Sequence, residues 1–290
     1  MACTLCPRRC GADRAHGTGY CGAGDNVRIA RAEPHYWEEP CLSGKSGSGT
    51  IFFTGCALHC VYCQNRKISA GGCGKCVSED ELYDLFVRLQ ERGVHNINLV
   101  TPDHYLDRII PVLQRAKKER FPLPIVMNCS GYETPVMVRA LDGLIDVYLP
   151  DFKYMSPLLA KKYSAAPDYP AVCKEAVREM VRQKPVCTEG PDGLLREGVL
   201  VRHLILPGQT DDSKKVLAYL FTAHGNSIRY SIMNQFTPFG LDAFPEIDRK
   251  VTEEEYEDVV SFALKLGIRN AYIQDGEAAS ESFIPEFFDA

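Results

Sequence analysis

The sequence of 290 residues predicts an α/β fold, a partial TIM-like (β/α)6 barrel with a Cys-rich N-terminal extension. From residue 50 onward, short apolar runs alternate with amphipathic segments, which is the pattern of βα units with parallel strands. Six such units follow one another, fewer than the eight of a closed barrel. Residues 1–49 are rich in Cys, Gly and Arg and lack this alternation. We therefore predict two domains, a metal-binding N-terminal module at 1–49 and the barrel at 50–290.

The strands are predicted from short apolar runs rich in β-branched and aromatic residues. The six barrel strands cover residues 50–55, 94–100, 124–129, 145–149, 199–206 and 227–233. Residues 191–193, Pro-Asp-Gly, predict a turn, which we interpret as part of a β-hairpin insertion before the fifth strand. Residues 271–274 are a candidate for a last strand.

The helices are predicted from apolar spacing and end signals. Ser78 and Glu81 have the spacing of a capping box, and Gly93 is a natural end to the helix that they begin. Between them, apolar residues at 82, 85, 86 and 89 share one helical face. Further helices are predicted to begin at Thr134-Pro135, within 157–184, at 211–224, and after the capping box of residues 252 and 255.

Charge and composition exclude several classes of protein. The net charge is −5 with acids and bases interspersed, so neither a nucleic-acid surface nor a polybasic membrane patch is expected. No apolar run approaches the roughly 18 residues of a spanning helix, and the first residues do not resemble a signal peptide. Thirteen cysteines, concentrated before residue 77, suggest metal ligation in a cytoplasmic protein instead of a disulfide framework.

The most informative motif is C-x3-C-x2-C, formed by Cys56, Cys60 and Cys63 directly after the first barrel strand. A [4Fe-4S] cluster is normally held by four cysteines. Three cysteines leave one iron open to a small molecule, as an open position marks a catalytic zinc site. The alternative is a zinc ion with His59 or another residue as the fourth ligand.

This motif and its position at a strand end resemble the radical S-adenosylmethionine (SAM) superfamily. The closer resemblance is to the PflX-like branch related to pyruvate formate-lyase activating enzymes. It includes the N-terminal Cys-x2-Cys-Pro-Arg-Arg-Cys and covers nearly the whole chain. The resemblance implies a [4Fe-4S] cluster held by the catalytic cysteines Cys56, Cys60 and Cys63. It also implies reductive cleavage of SAM to a 5′-deoxyadenosyl radical that abstracts a hydrogen atom.

The resemblance further implies SAM contacts at the strand ends, where parallel α/β folds bind their ligands. The superfamily's Gly-Gly-Glu segment, which binds the SAM amine, is missing here. Asn98 and Thr101 are the nearest polar residues that could replace it. The equal alternative is that these residues form a plain strand end with no contact to SAM. Asp151 and Lys153 resemble the Asp-x-Lys signature of glycyl-radical activating enzymes, the alternative being an ion pair that caps a strand. The implied contacts are Tyr62, Asn98, Thr101, Asn128, Ser130, Asp151, Lys153, Arg202 and Asn234.

A second metal site is predicted at Cys3, Cys6, Cys10 and Cys21, whose spacing is C-x2-C-x3-C-x10-C. Four thiolates can close a metal shell, and the spacing leaves zinc and iron–sulfur both open. Cys41 is an alternative ligand or a thiol close to the active site. We do not expect the other cysteines to bind a metal. Cys73 and Cys76 are interpreted as a surface thiol pair or a redox couple, and Cys129, Cys173 and Cys187 as ordinary buried residues.

The main functional hypothesis is an anaerobic radical SAM oxidoreductase that acts on a glycine of a partner protein. The chain has no glycyl-radical Arg-Val-x-Gly-Tyr segment, so that glycine would lie on another protein. Flavodoxin or ferredoxin is the expected electron donor. Two alternatives stay open: radical modification of a peptide or small molecule, and a non-catalytic iron–sulfur or zinc scaffold or electron carrier.

Overall fold

Ten strands and nine α-helices make up the part of the chain that the computed structural model describes, residues 2–273 and 287. The strands are β1 (Val27–His35), β2 (Ser48–Phe53), β3 (Lys75–Val77), β4 (Ile97–Val100), β5 (Ile125–Cys129), β6 (Val147–Pro150), β7 (Thr188–Glu189), β8 (Leu195–Leu204), β9 (Arg229–Met233) and β10 (Ala271–Ile273).

The helices lie between these strands along the chain. They are α1 (Pro40–Ser43), α2 (Arg66–Ser69), α3 (Glu79–Glu91), α4 (Leu106–Lys118), α5 (Pro135–Ala140), α6 (Pro157–Ser164), α7 (Tyr169–Gln183), α8 (Thr210–His224) and α9 (Glu253–Leu266), with two 3-10 helices at Asp103–Tyr105 and Pro245–Ile247. The predicted capping boxes begin α3 and α9.

The sheet confirms the predicted fold class. Its strand order is β10-β9-β8-β6-β5-β4-β2-β1-β3, and the strands from β2 to β10 on this path are parallel. Among the described residues the sheet does not close, so the barrel is partial. The six predicted strands correspond to β2, β4, β5, β6, β8 and β9, while the predicted insertion is the antiparallel β7–β8 hairpin. Residue 274 of the predicted last strand lies outside the described residues.

The N-terminal extension contributes to the same sheet. β1 pairs antiparallel with β2 and also with β3. Sequence reasoning missed β1 because most of it is only half-buried and shows no clear alternation. The division at residues 49 and 50 stays a prediction.

Part of the extension also fills the concave face of the sheet. We call residues 38–43 the plug. Its Cys41 and Leu42 pack against Val126, Val147 and Leu149 in a cluster of their own. Neighbouring residues on the same strands point the other way and pack against the helices, because strand side chains alternate between faces. The plug therefore closes the inside of the half-barrel beneath the strand ends.

No helix among the described residues is long and apolar enough to cross a membrane. The cytoplasmic location stays a prediction.

Two buried histidines make stability depend on pH. Burial lowers the pKa of both His104 and His203 to about 4. Each ring hydrogen bonds one carbonyl oxygen, of Thr54 at 2.7 Å and of Phe152 at 2.7 Å respectively. Because the pKa is lower in the folded state than in the unfolded state, the stabilisation is complete above about pH 6.5 and is lost as the pH falls toward 4.

We therefore expect the free energy of unfolding of the apo-protein to fall between pH 6.5 and 4.5. Each histidine contributes about 3 kcal/mol to the free energy of unfolding when its ring is fully neutral. Urea unfolding at several pH values measures it, and His203→Gln should flatten the profile by keeping an uncharged side chain there. The exposed His16 is the control, since His16→Gln should leave the profile as it was. Equal profiles for wild type and H203Q would contradict the prediction.

Candidate active site

A cavity of about 220 Å³ opens at the carboxyl ends of the parallel strands. Residues from six strand ends, the cluster loop and the plug meet there, as expected for a parallel α/β fold. Its lining includes Cys56, Cys60, Tyr62, Cys63, Thr101, Asn128, Ser130, Asp151, Lys153 and Arg202 of the predicted site, together with His35, Trp37, Glu38 and Cys129.

The three cysteines of the motif line this cavity together. Their loop follows β2, and the peptide N–H of Leu58 donates a hydrogen bond to the Cys56 sulfur at 3.3 Å. The Ser164 hydroxyl donates to the Cys60 sulfur at 3.0 Å. Such hydrogen bonds to cysteine sulfur are among the contacts that set the potential of iron–sulfur clusters.

The donor set fits an iron–sulfur cluster with an open corner. Burial, and next the neighbouring Cys60, raise the pKa of Cys56 to about 12 and of Cys63 to about 11. Metal binding must therefore displace the protons of these thiols. His59, the proposed fourth ligand of a zinc site, is turned away, since its Nε2 lies 2.9 Å from the Tyr20 carbonyl oxygen.

Tyr62 forms part of the cavity wall. Its hydroxyl lies 2.6 Å from that of Tyr154, which in turn lies 2.8 Å from the Ser164 hydroxyl. Burial raises the pKa of Tyr62 well above its usual value, so the phenol stays neutral. The ring is thereby fixed in orientation, and its predicted contact with adenine stays a prediction.

Asp151, Lys153 and Arg202 form a charged network across the cavity. One Asp151 oxygen accepts from Lys153 Nζ at 2.6 Å, and the other accepts from Arg202 Nε at 2.9 Å. Burial alone would raise the pKa of Asp151, but the two cations outweigh it and hold the pKa below its usual value. The Asp151 side chain is 20% exposed and that of Lys153 is 18% exposed, so both remain accessible from the cavity.

Sequence reasoning missed Glu38, which the plug brings into the cavity. Its carboxylate accepts from the Asn98 side chain at 2.5 Å, from the Asn128 side chain at 2.8 Å and from Arg202 at 3.3 Å. Arg202 also donates to the Asn128 side-chain oxygen at 2.6 Å. The available signal was the acidic pair Glu38-Glu39, which only Pro40 separates from the apolar Cys41 and Leu42, because acids beside a buried segment need partners.

The other predicted contacts are placed differently. Thr101 and Ser130 line the cavity, and Thr101 adopts a positive φ of 57°. Asn98 is fully buried and reaches the cavity only through Glu38. Asn234 is outside the lining, although its neighbours Met233 and Gln235 belong to it. The SAM-binding roles of all four residues stay predictions.

Cys129 belongs to a separate buried group. Asp103, Cys129 and Glu133 place one ligand atom each within 4.8 Å of one another. Burial raises the pKa of both carboxyl groups, and they hydrogen bond each other. The Cys129 thiol hydrogen bonds Glu133. The interpretation of Cys129 as an ordinary buried residue stays a prediction, although its atoms reach the cavity wall.

The N-terminal cysteines gather beside the cluster loop. The thiols of Cys3 and Cys10 hydrogen bond each other, and Cys6 and Cys21 lie in electrostatic contact with both. Cys41 is elsewhere, in the plug, where its thiol hydrogen bonds Tyr272. That a metal occupies the four-cysteine group stays a prediction.

Comparisons with known proteins agree with this geometry. A sequence model of the radical SAM superfamily matches residues 50–220. The uncharacterized protein MJ0674 of Methanocaldococcus jannaschii is 27% identical over 281 residues, or 93% of this chain and 76% of that protein.

The chain is similar in fold to one solved structure and more weakly similar to a second. Streptococcus suis SuiB bound to the precursor peptide SuiA has a TM-score of 0.51 and 11% identity, covering 77% of this chain and 47% of that one. A domain of pyruvate-formate lyase-activating enzyme from Bacteroides vulgatus has a TM-score of 0.43 and 12% identity, and the match covers 59% of this chain and 92% of that domain. Because the family match spans more than half of the sequence, from the strand before the cluster loop to α8, the chain belongs to the radical SAM superfamily.

Proposed function

We propose that this protein uses a [4Fe-4S] cluster at Cys56, Cys60 and Cys63 to cleave SAM reductively and to abstract a hydrogen atom from a glycine of a partner protein. The observation that carries the proposal is the meeting of these three cysteines with Asp151, Lys153 and Arg202 in one cavity. When bound, the cluster supplies one electron to SAM, and the cleaved cofactor supplies the radical that takes the hydrogen atom.

The protein side chains bind and orient the cofactor in this proposal. Lys153 lines the same cavity as the cluster cysteines, and Cys60 and Cys63 both act electrostatically on its charge. It is therefore suited to bind the carboxylate of SAM. Asp151 holds Lys153 and Arg202 in one fixed arrangement. The buried, neutral Tyr62 keeps that end of the cavity dry, which strengthens each of these electrostatic contacts.

Exposed aromatic side chains beside the cavity favour a substrate that approaches from outside. Tyr36 and Trp37 follow β1 and are 57% and 63% exposed, and Trp37 lines the cavity. Exposed aromatic side chains of this kind are typical contacts for a protein partner.

Anaerobic reconstitution with iron, sulfide, SAM and dithionite tests the proposal. We expect 5′-deoxyadenosine by mass spectrometry, and a doublet in the electron paramagnetic resonance spectrum of a glycyl-radical partner protein. Formation of 5′-deoxyadenosine without a doublet on any candidate partner would instead favour modification of a peptide or small molecule. A reconstituted cluster that yields no 5′-deoxyadenosine, with dithionite or with reduced flavodoxin or ferredoxin, would leave only the scaffold alternative.

A further inference from the structure

Arg8 of the N-terminal segment joins two parts of the chain that are far apart in sequence. Its Nε donates to the Ala57 carbonyl oxygen of the cluster loop at 2.8 Å, and its Nη2 lies 3.5 Å from the Leu58 carbonyl oxygen. The same Nη2 donates to the Ser164 carbonyl oxygen at 2.8 Å, and Nη1 donates to that of Ala165 at 2.5 Å. One planar guanidinium thus contacts four carbonyl groups, two in the cluster loop and two where α6 ends.

The geometry of an arginine side chain fits this position. The last carbonyl groups of a helix have no partner within the helix, and basic side chains near that end bind them. Arg8 does so for α6, whose C-cap residue Ala165 has a left-handed backbone with φ of 48°. The five N–H groups of arginine point outward in one fixed plane, whereas a lysine ammonium is a single point charge. A lysine at this position could therefore not hold both segments at once.

The cluster loop depends on contacts from outside for its conformation. His59 has a positive φ of 52°, which a residue other than glycine keeps only where its surroundings hold it. The Tyr20 ring packs edge-on against the His59 ring, with 5.1 Å between the ring centroids. The Arg8 guanidinium lies over the same Tyr20 ring, with 4.3 Å between its Cζ and the ring centroid. Arg8 and Tyr20 therefore hold the loop together.

The helix end that Arg8 holds carries a hydroxyl group that contacts a cluster cysteine. The Ser164 hydroxyl donates to the Cys60 sulfur at 3.0 Å. Beside this bond, the peptide N–H of Val61 donates to the Tyr163 carbonyl oxygen at 2.9 Å. The distance between the hydroxyl and the sulfur depends on the separation of the two segments. Arg8 fixes that separation, because it binds carbonyl groups on both of them.

We propose that Arg8 is a positioning residue, which holds the end of α6 against the cluster loop so that the Ser164 hydroxyl donates to Cys60 and raises the reduction potential of the cluster. This inference rests on the proposed function for the cluster itself. A hydrogen bond to a ligand sulfur stabilises the reduced form, which carries one more negative charge, and so favours uptake of the electron that SAM cleavage requires. In this role Arg8 acts through Ser164 and not through its own charge.

Redox titration of the reconstituted full-length protein, followed by electron paramagnetic resonance, tests this role. We expect Ser164→Ala and Arg8→Lys each to lower the ratio of reduced to oxidised cluster about tenfold at a fixed solution potential, a shift of about 59 mV to more negative values. Arg8→Lys keeps the positive charge and removes the planar set of donors. Arg9→Lys, at the exposed neighbouring residue, is the matched control and should keep the wild-type potential. A wild-type potential in R8K would overturn the proposal.

The double variant R8K/S164A separates positioning from an independent effect of Arg8. Two residues that act through one hydrogen bond are not additive, because the bond can be lost only once. We therefore expect the potential of the double variant to equal that of S164A alone. Shifts that add in the double variant would contradict the proposal, since Arg8 would then act on the cluster by a route that does not include Ser164.

Amide hydrogen exchange of the full-length protein before reconstitution tests the contacts of Arg8 without a cluster. We expect the backbone of residues 56–61 to exchange about tenfold faster in R8K than in the wild type or R9K. Equal exchange in all three proteins would show that Arg8 does not hold the loop. If the wild type has a cluster of measurable potential and yet releases no 5′-deoxyadenosine, the proposed function fails, while the potentials and the exchange rates still decide the role of Arg8.

Discussion

Cys60→Ala is expected to abolish reductive cleavage of SAM and to leave the fold intact. The sulfur of Cys60 lies at the cavity and accepts a hydrogen bond from Ser164. With two cysteines left, a cubane loses a required ligand and the electron source of the reaction disappears. Anaerobic assay of 5′-deoxyadenosine measures the loss, and circular dichroism measures the fold. The side chain is small and half-buried, so truncation should cost about 1 kcal/mol or less of the free energy of unfolding.

Cys129→Ser is the matched control for this prediction. Cys129 lines the same cavity, but its thiol hydrogen bonds Glu133 and it lies outside the C-x3-C-x2-C motif. We expect C129S to keep both the cluster and SAM cleavage. If C60A still releases 5′-deoxyadenosine, or if C129S loses the cluster as completely as C60A, the assignment of three ligands to the open cluster is wrong.

Asp151→Ala is expected to lower both stability and activity. Asp151 is the shared partner of Lys153 and Arg202, and its removal leaves two cations side by side in a largely buried position. We expect this loss to lower the free energy of unfolding by about 2–3 kcal/mol. The value is small for a broken buried ion pair because the three side chains are still 15–20% exposed. Misplacement of Lys153 and Arg202 should also reduce kcat/KM for SAM cleavage by about 100-fold.

The matched control is Asp192→Ala, which breaks an exposed ion pair with Arg196. A surface pair of this kind contributes about 0–1 kcal/mol, so D192A should unfold at nearly the wild-type urea concentration and keep full activity. Asp151 has a pKa below its usual value, so its contribution is present above about pH 4 and is lost as the pH falls further. Equal unfolding midpoints for D151A and D192A at neutral pH would contradict the central role of Asp151.

The parts of the site that are local in sequence could be predicted. The three cluster cysteines lie within eight residues, and Asp151 and Lys153 close one apolar strand. The six parallel strands could be recognised because each is a short apolar run between helices with clear end signals. Parallel order then brings all the strand ends to one edge of the sheet.

The missed parts depend on contacts between distant residues. Glu38 lies 60 residues before Asn98 and 164 residues before Arg202, and no spacing rule connects them. The plug and β1 have little periodicity of their own, since they are defined by the concave face that they cover. The family resemblance at the sixth strand end implies a contact at Asn234, whereas the cavity lining contains its neighbours Met233 and Gln235.

The chain contains a single tryptophan, and that residue is Trp37 at the cavity. Its indole is 63% exposed to water, and the emission of an indole shifts to shorter wavelength when water leaves its surroundings. Ultraviolet fluorescence of the unlabelled protein is therefore a direct optical signal of cavity occupancy. The fluorescence of Trp37 can therefore follow a ligand titration without a label, because the sequence has no second tryptophan that would add to the signal.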